Sequence, residues 1–380
     1  MSAWPGKYVI GLTGNIATGK SVVRKMLEHL GVYGIDADAL GHRAIAPNSP
    51  GYKPVVEMFG KWILTPDGQI DRSKLGSVAF GHPEAMQRLE EIIHPLVGQA
   101  LDILIRRSRQ STVVVEAIKL LESGLAKKCD IVWVTYAPQE LQLARLMQKR
   151  GYDEARAHQM IWSQTLQERK TAGANVVIRN DGSYEDTWGQ VMDAYYKTFP
   201  GLQGESAETA VQVEAVAGEL TIQRARPQEA DEVAVLINHL SEGRRQVTHD
   251  DIMAAFGEKA FLLLRIDGKA LGLVGWKVEN LVARTDDVYI DKNLNFLDSL
   301  RVLMDEVERA SQELQCEVSL LFLPVDMINK GMTFKTLGYQ RRTIQGLGVS
   351  AWEEAAQESM TPGSVLLFKQ LRQDRVLRPV

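Results

Sequence analysis

A chain of 380 residues exceeds one ordinary domain, so two domains is the starting expectation. Its 45% hydrophobic and 24% charged residues are those of a soluble globular protein, and a net charge of −4 gives no electrostatic reason to expect a nucleic-acid partner. Two cysteines, Cys129 and Cys316, are too few for a disulfide framework.

No apolar run reaches the length of a membrane span, and the opening segment lacks the apolar core of a leader. A cytoplasmic location, with no membrane partner, is the expectation.

Residues 8–12 read as a short apolar strand. It opens into Gly14-Asn15-Ile16-Ala17-Thr18-Gly19-Lys20-Ser21, which fits G-x-x-x-x-G-K-[ST], and residues 22–30 then carry apolar side chains at helical spacing. Glycines at the two fixed positions let the backbone curl its N–H groups around phosphate oxygens, and the helix adds its positive end. Lys20 can reach the β- and γ-phosphates, while the Ser21 hydroxyl can take a place on Mg²⁺. A glycine turn before a helix is the plainer alternative; strand and helix on either side favour a nucleotide site.

Residues 32–35 form a second short strand that ends in Asp36 and Asp38. Strand C-terminal ends of a parallel sheet face the ligand crevice, which places both acids near the phosphate loop. One could orient Mg²⁺ and one could accept a proton from an attacking hydroxyl. The competing role is a helix N-cap, which Asp38 would fill ahead of Ala39 and Leu40.

Residues 41–100 read as helices and turns, with a helix start at Asp71 and a periodic helix over 83–104 that His94-Pro95 is expected to interrupt. His94 is a substrate candidate, although a histidine on an amphipathic helix is more often structural. Residues 112–116 and 130–136 read as central parallel strands. Glu116 closes the first on the crevice side and Lys119 stands among apolar neighbours; each could contact substrate or sit on a solvated rim.

Residues 139–167 carry Arg145, Lys149, Arg150 and Arg156 on two helical stretches broken at 151–153. Such a pair can act as a lid that closes arginines over a transferring phosphoryl group, or can simply be a solvated charged face. A strand over 175–179 runs into Asn180 and Gly182, ahead of a helix over 184–199. Strands separated by helices make this half an α/β doubly wound parallel sheet.

Residues 200–219 are small and acidic, a linker composition. The second half reads as α+β. Strands are expected over 220–224, 260–265 and 271–278, the last two joined at Asp267-Gly268. Further strands are expected over 281–290, 317–323, 339–344 and 365–371, with helices over 229–240, 249–256, 297–314 and 327–337.

The motifs GLTGNIATGKS, IDADAL, IIHPLV, VVVEAIKLLESGL, QLARLMQKRG and NVVIRNDGS stand in one order, and with them residues 7–199 resemble the dephospho-CoA kinases of the phosphate-loop group. The resemblance implies transfer of the ATP γ-phosphoryl to the ribose 3′-hydroxyl of dephospho-CoA with Mg²⁺. By it Asp38 is the general base, Lys20 and Ser21 contact phosphate and metal with Asp38 as a second metal contact, and Arg145 is a lid arginine. Lys149 or Arg150 is the second lid cation, residues 14–21 cradle ATP, and Asn180 and Gly182 lie near the adenine. Asp36, His94, Glu116 and Lys119 fall to the acceptor.

The chain departs from the family's glycine-rich loop at Asn15, Ala17 and Thr18. It has Ile118-Lys119-Leu120-Leu121-Glu122 for Pro-Leu-Leu-Phe-Glu, and Gln159 and Met160 where many members carry an arginine. Two rivals stand beside this reading: a kinase of the same fold for another small acceptor, and a non-catalytic nucleotide-binding regulator.

Residues 220–372 resemble the GNAT N-acetyltransferase fold in the order of strands and helices alone. Working members bind acyl-CoA pyrophosphate on a glycine-bearing loop, and residues 291–301 contain no glycine. The resemblance therefore implies a domain over 220–380 without acetyltransferase activity, a binding or dimerising module for which CoA or an acyl-CoA is the suggested ligand. It leaves homo-oligomerisation open.

Overall fold

The structure, a computed structural model, describes residues 3–200, 211–213, 220–325 and 334–373; the side chains of Phe80, Lys149, Arg150 and residues 211–213 lie outside that description. The first half runs β1 (Tyr8–Gly14), α1 (Lys20–His29), β2 (Tyr33–Asp36), α2 (Ala37–Ala44), α3 (Tyr52–Phe59), α4 (Arg72–Gly81), α5 (Pro83–Arg107), β3 (Thr112–Glu116) and β4 (Ile131–Tyr136). It continues through α6 (Gln139–Arg150), α7 (Glu154–Trp162), α8 (Gln167–Ala172), β5 (Val176–Arg179) and α9 (Tyr184–Thr198).

The sheet order is β2-β3-β1-β4-β5 with every pair parallel. Both faces are covered, which is why β1 and β3 are apolar without alternation: Val9 packs with Leu101 and Leu104 of α5, Ile10 and Leu12 with Val23 and Leu27 of α1. Each such side chain is fully buried and contributes roughly 1.5–3 kcal/mol. β1 is central, so the loop after it opens at the middle of the sheet's C-terminal edge.

Two local expectations change. α5 runs unbroken through Pro95, because Leu89 on one side and Ala100, Leu101 and Leu104 on the other are packed strongly enough to carry one lost N–H bond. The cap of α2 is Asp36, which accepts from Ala39 N at 2.8 Å, so Asp38 lies inside the first turn with its carboxylate free for another partner.

The second half contains β6 (Val211–Val213), β7 (Leu220–Arg224), α10 (Ala230–Leu240), α11 (His249–Phe256), β8 (Ala260–Ile266), β9 (Lys269–Glu279), β10 (Val282–Ile290) and α12 (Phe296–Glu313). It ends with β11 (Val318–Pro324), β12 (Gln340–Arg341), α13 (Ser350–Ser359) and β13 (Ser364–Gln370). The order β12-β13-β11-β10-β9-β8-β7-β6 is antiparallel except for β10 against β11. Alternation does the sorting: Leu262 and Leu264 face α12, while Phe261 and Leu263 face α10 and α11.

β6 lies within the stretch read as a linker and pairs with β7, and α13 falls where no element was expected. Most of the expected helix over 327–337 lies outside the described residues, with only a short 3-10 turn at Phe334–Leu337 inside them. No helix among the described residues is long and apolar enough to cross a membrane.

The halves meet along β2, an edge strand whose unpaired rim would otherwise be open to water. Leu281, at the tip of the β9–β10 hairpin, is buried in the cluster of Tyr33, Leu40 and Leu104. Lys25 Nζ of α1 donates to Val278 O at 3.0 Å and Gln315 Nε2 donates to Leu104 O at 2.8 Å.

Candidate active site

The loop between β1 and α1 is fixed from all sides. Gly14 lies so close to β4 that a Cβ there would stand 2.2 Å from Thr135 Oγ1, which only glycine avoids. Thr18 Oγ1 bonds Asn15 O at 2.8 Å and Thr135 Oγ1 at 2.7 Å. Asn180, at the end of β5, sends Nδ2 to Thr18 O at 3.1 Å. Lys20 folds back over the loop, its Nζ 3.2 Å from Asn15 O. Burial pushes the Lys20 ammonium below its ordinary range, opposed by the charges of Glu116 and Asp38.

Three carboxylates line the crevice beside it. Asp36 and Glu116 are register partners at the ends of β2 and β3. Burial first, and Glu116 second, push the Asp36 carboxyl up to about 6. Glu116 is 4% exposed and is held at both oxygens: Ser21 Oγ donates to Oε1 at 2.9 Å and Arg24 Nε to Oε2 at 2.8 Å. Asp38 Oδ2 accepts from Ile118 N at 3.0 Å. Burial raises its carboxyl above the usual range, and Ile118 N–H and then Lys20 oppose that.

Among the described residues no three His, Cys, Asp or Glu side chains are grouped to hold a metal unaided. The donors present are hard oxygens, a hydroxyl backed by a carboxylate, which suits an ion that takes most of its ligands from phosphates and water.

The lid is docked on the loop. Leu146 of α6 and Ala157 and Ile161 of α7 close an apolar cluster on Ile16. Beyond α7, Gln164 Oε1 accepts from Ile16 N at 2.8 Å, and Thr165 O accepts from Asn15 Nδ2 at 2.9 Å. Arg145 donates to Ala17 O at 3.1 Å and Asn180 O at 2.9 Å.

Comparison with known proteins identifies the family. The dephospho-CoA kinase family model matches residues 8–186. The dephospho-CoA kinase of Geobacter sulfurreducens is 40% identical over 195 residues, which span 50% of this chain and 99% of that relative. The chain belongs to the dephospho-CoA kinase family.

A solved dephospho-CoA kinase from Campylobacter jejuni is 28% identical over 51% of this chain and 98% of its own, with a TM-score of 0.39. A GNAT-family acetyltransferase from Staphylococcus aureus is 13% identical over 40% of this chain and 99% of its own, with a TM-score of 0.33.

Within this dephospho-CoA kinase family member, the loop, Lys20, Ser21, Asp36, Asp38, Glu116 and Arg145 lie together at the C-terminal edge of the sheet. Other candidates stand apart. Lys119 is half exposed and pairs with Glu90 on α5. His94 is exposed on the same helix, and Gly182 occupies the exposed turn that Ser183 and Asp186 cap. Asn180, expected near adenine, braces the loop through its bond to Thr18 O. The side chain of Arg150 lies outside the described residues.

No role was foreseen for Arg24 or for Gln164. Arg24 shares a helix face with Ser21, a spacing that points both at Glu116. Gln164 matches a glutamine of the family, the signal that could have pointed to it. Arg24 also borders a cavity of about 200 Å³ between the halves, where it pairs with Glu28, and Arg284 with Glu279 and Glu358.

Proposed function

We propose that the chain is a cytoplasmic dephospho-CoA kinase, which moves the γ-phosphoryl of ATP to the ribose 3′-hydroxyl of dephospho-CoA. The carrying observation is the formed phosphate loop, with Lys20 Nζ folded back 3.2 Å from Asn15 O, Ser21 Oγ seated on Glu116 and the lid packed on Ile16. Loop N–H groups and Lys20 would hold the β- and γ-phosphates, and Arg145 would swing from Ala17 O to the transferring group. Asp38, anchored through Oδ2, would take the 3′-hydroxyl proton.

Ser21 would hold Mg²⁺ together with the phosphates, with Glu116 behind its hydroxyl; the ion's contribution is neutralisation of charge on the β- and γ-oxygens. Asp38, turned onto Ile118, is assigned the base and not the metal.

We assign residues 1–199 to the kinase unit and 220–380 to an accessory domain without acetyltransferase activity. In support of the latter, Asn295 Oδ1 already occupies the N–H groups of Leu297 and Asp298 at the start of α12. CoA or an acyl-CoA remains the ligand to try there, by calorimetric titration of the full chain.

The deciding experiment is ADP release from Mg-ATP with and without dephospho-CoA, beside adenosine, CMP and pantetheine phosphate. Stimulation by dephospho-CoA alone, with CoA as product, is expected, and Asp38→Asn should remove it while ATP still binds. ATP binding with no acceptor-stimulated release would sink the enzyme reading.

A further inference from the structure

Lys170 of α8 has no place in any motif, yet its side chain is 1% exposed. Its Nζ donates to Ile118 O at 2.6 Å and stands 3.5 Å from Glu122 Oε1. A lysine is seldom buried without acceptors of this kind. Thr13 Oγ1, at the end of β1, donates to the same carbonyl at 3.1 Å. The N–H of Ile118 is the group that holds Asp38 Oδ2. Both backbone polar groups of one residue are thus committed, the carbonyl to Lys170 and Thr13, the N–H to Asp38.

The charge on Lys170 is near enough to be felt at both Lys20 and Asp38. α8 also starts just beyond Gln164 and Thr165, which clasp the phosphate loop. One short stretch of chain therefore seats the lid and fixes Ile118.

We propose that Lys170 is a positioning residue for phosphoryl transfer, pinning Ile118 against the end of β1 so that its N–H aims the Asp38 carboxylate at the acceptor. The proposal rests on the dephospho-CoA kinase reading. Small misplacements of a reacting group cost about a hundredfold in rate, so the expected effect falls on turnover and not on ATP.

The full chain is assayed first for dephospho-CoA-stimulated ADP release; failure there removes the activity reading itself. Given that activity, Lys170→Met should lower kcat by about 100-fold while the Kd for Mg-ATP stays within about threefold, and Lys170→Arg should recover most of the loss. Lys170→Ala should regain turnover, saturably, on addition of ethylammonium, a response that a purely structural lysine would not give. A methionine variant with parental kcat overturns the proposal, as does an alanine variant that ignores the amine. Should these variants fail to fold, Thr13→Val tests the same carbonyl: lower kcat at unchanged Kd supports the role, unchanged kcat overturns it.

Discussion

Arg43 and Glu317 form an ion pair between the two halves at 2.5 Å, with side chains only 7% and 1% exposed. Arg43 lies on α2, the helix that carries Asp38, and its other amine reaches Asn280 O at 2.6 Å. Glu317 Oε2 accepts from Trp352 Nε1 at 3.1 Å. Removing one member of a buried pair strands the other, so Arg43→Met should cost about 3–5 kcal/mol in urea unfolding. Adding Glu317→Leu should return much of it. A single-variant loss under about 1 kcal/mol would mean that water reaches the pair and that α2 is not anchored by it.

Gly19 gives a sharper test of the loop. Its φ is +93°, and a Cβ there would lie 1.8 Å from Asn180 Nδ2, the strut that holds Thr18 O. Gly19→Ala must therefore strain the backbone and push the strut aside, at a cost of about 1–3 kcal/mol. ATP affinity should fall by at least about tenfold, because the N–H groups that face phosphate lose their curl. Nucleotide titration reads this directly, and near-parental affinity would show that the loop does not depend on Asn180.

The site was legible where chemistry and spacing coincide along the chain. Residues 14–21 fix their own geometry, and Asp36 and Glu116 could be placed because parallel strands end on one side. Contacts between distant segments were not legible. Asp36, not Asp38, became the cap because the strand ends at Asp36 itself, a boundary that sequence periodicity sets only to within a residue or two. Lys170 lies outside the motifs that spacing singles out, and its acceptors, Ile118 O and Glu122, come from the distant turn after β3. Pro95 read as a break because local rules price the lost hydrogen bond but not the packing on either side.

Glu116→Gln separates a metal-supporting role from a structural one. Arg24 can only donate, so the amide oxygen must stay with Arg24 and the amide nitrogen must face Ser21. That N–H would occupy a lone pair the hydroxyl needs for Mg²⁺. The Mg²⁺ concentration for half-maximal ADP release should rise by about tenfold or more, with kcat/KM for ATP lower at limiting metal. An unmoved metal titration alongside reduced stability would confine Glu116 to holding α1.

His29, at the C-terminal end of α1, ties acid sensitivity to the domain interface. Its Nε2 lies 2.8 Å from Phe256 O and its Nδ1 3.3 Å from Arg224 Nη2, so the neutral ring donates to the carbonyl and accepts from the guanidinium. Burial first, and the Arg224 charge second, lower its pKa to about 3, while Phe256 O, Glu28 and Lys25 act less strongly. The unfolded chain binds this proton near pH 6.5 and the folded chain does not until about pH 3. Stability from this group is therefore complete above pH 6.5 and is lost as the pH falls towards 3, by up to about 1.4 kcal/mol per pH unit. Urea midpoints for the full chain between pH 7 and 4 should show that slope, and His29→Gln, which keeps a donor for Phe256 O but cannot titrate, should flatten it. An equal slope in both proteins would move the acid-sensitive group away from the interface.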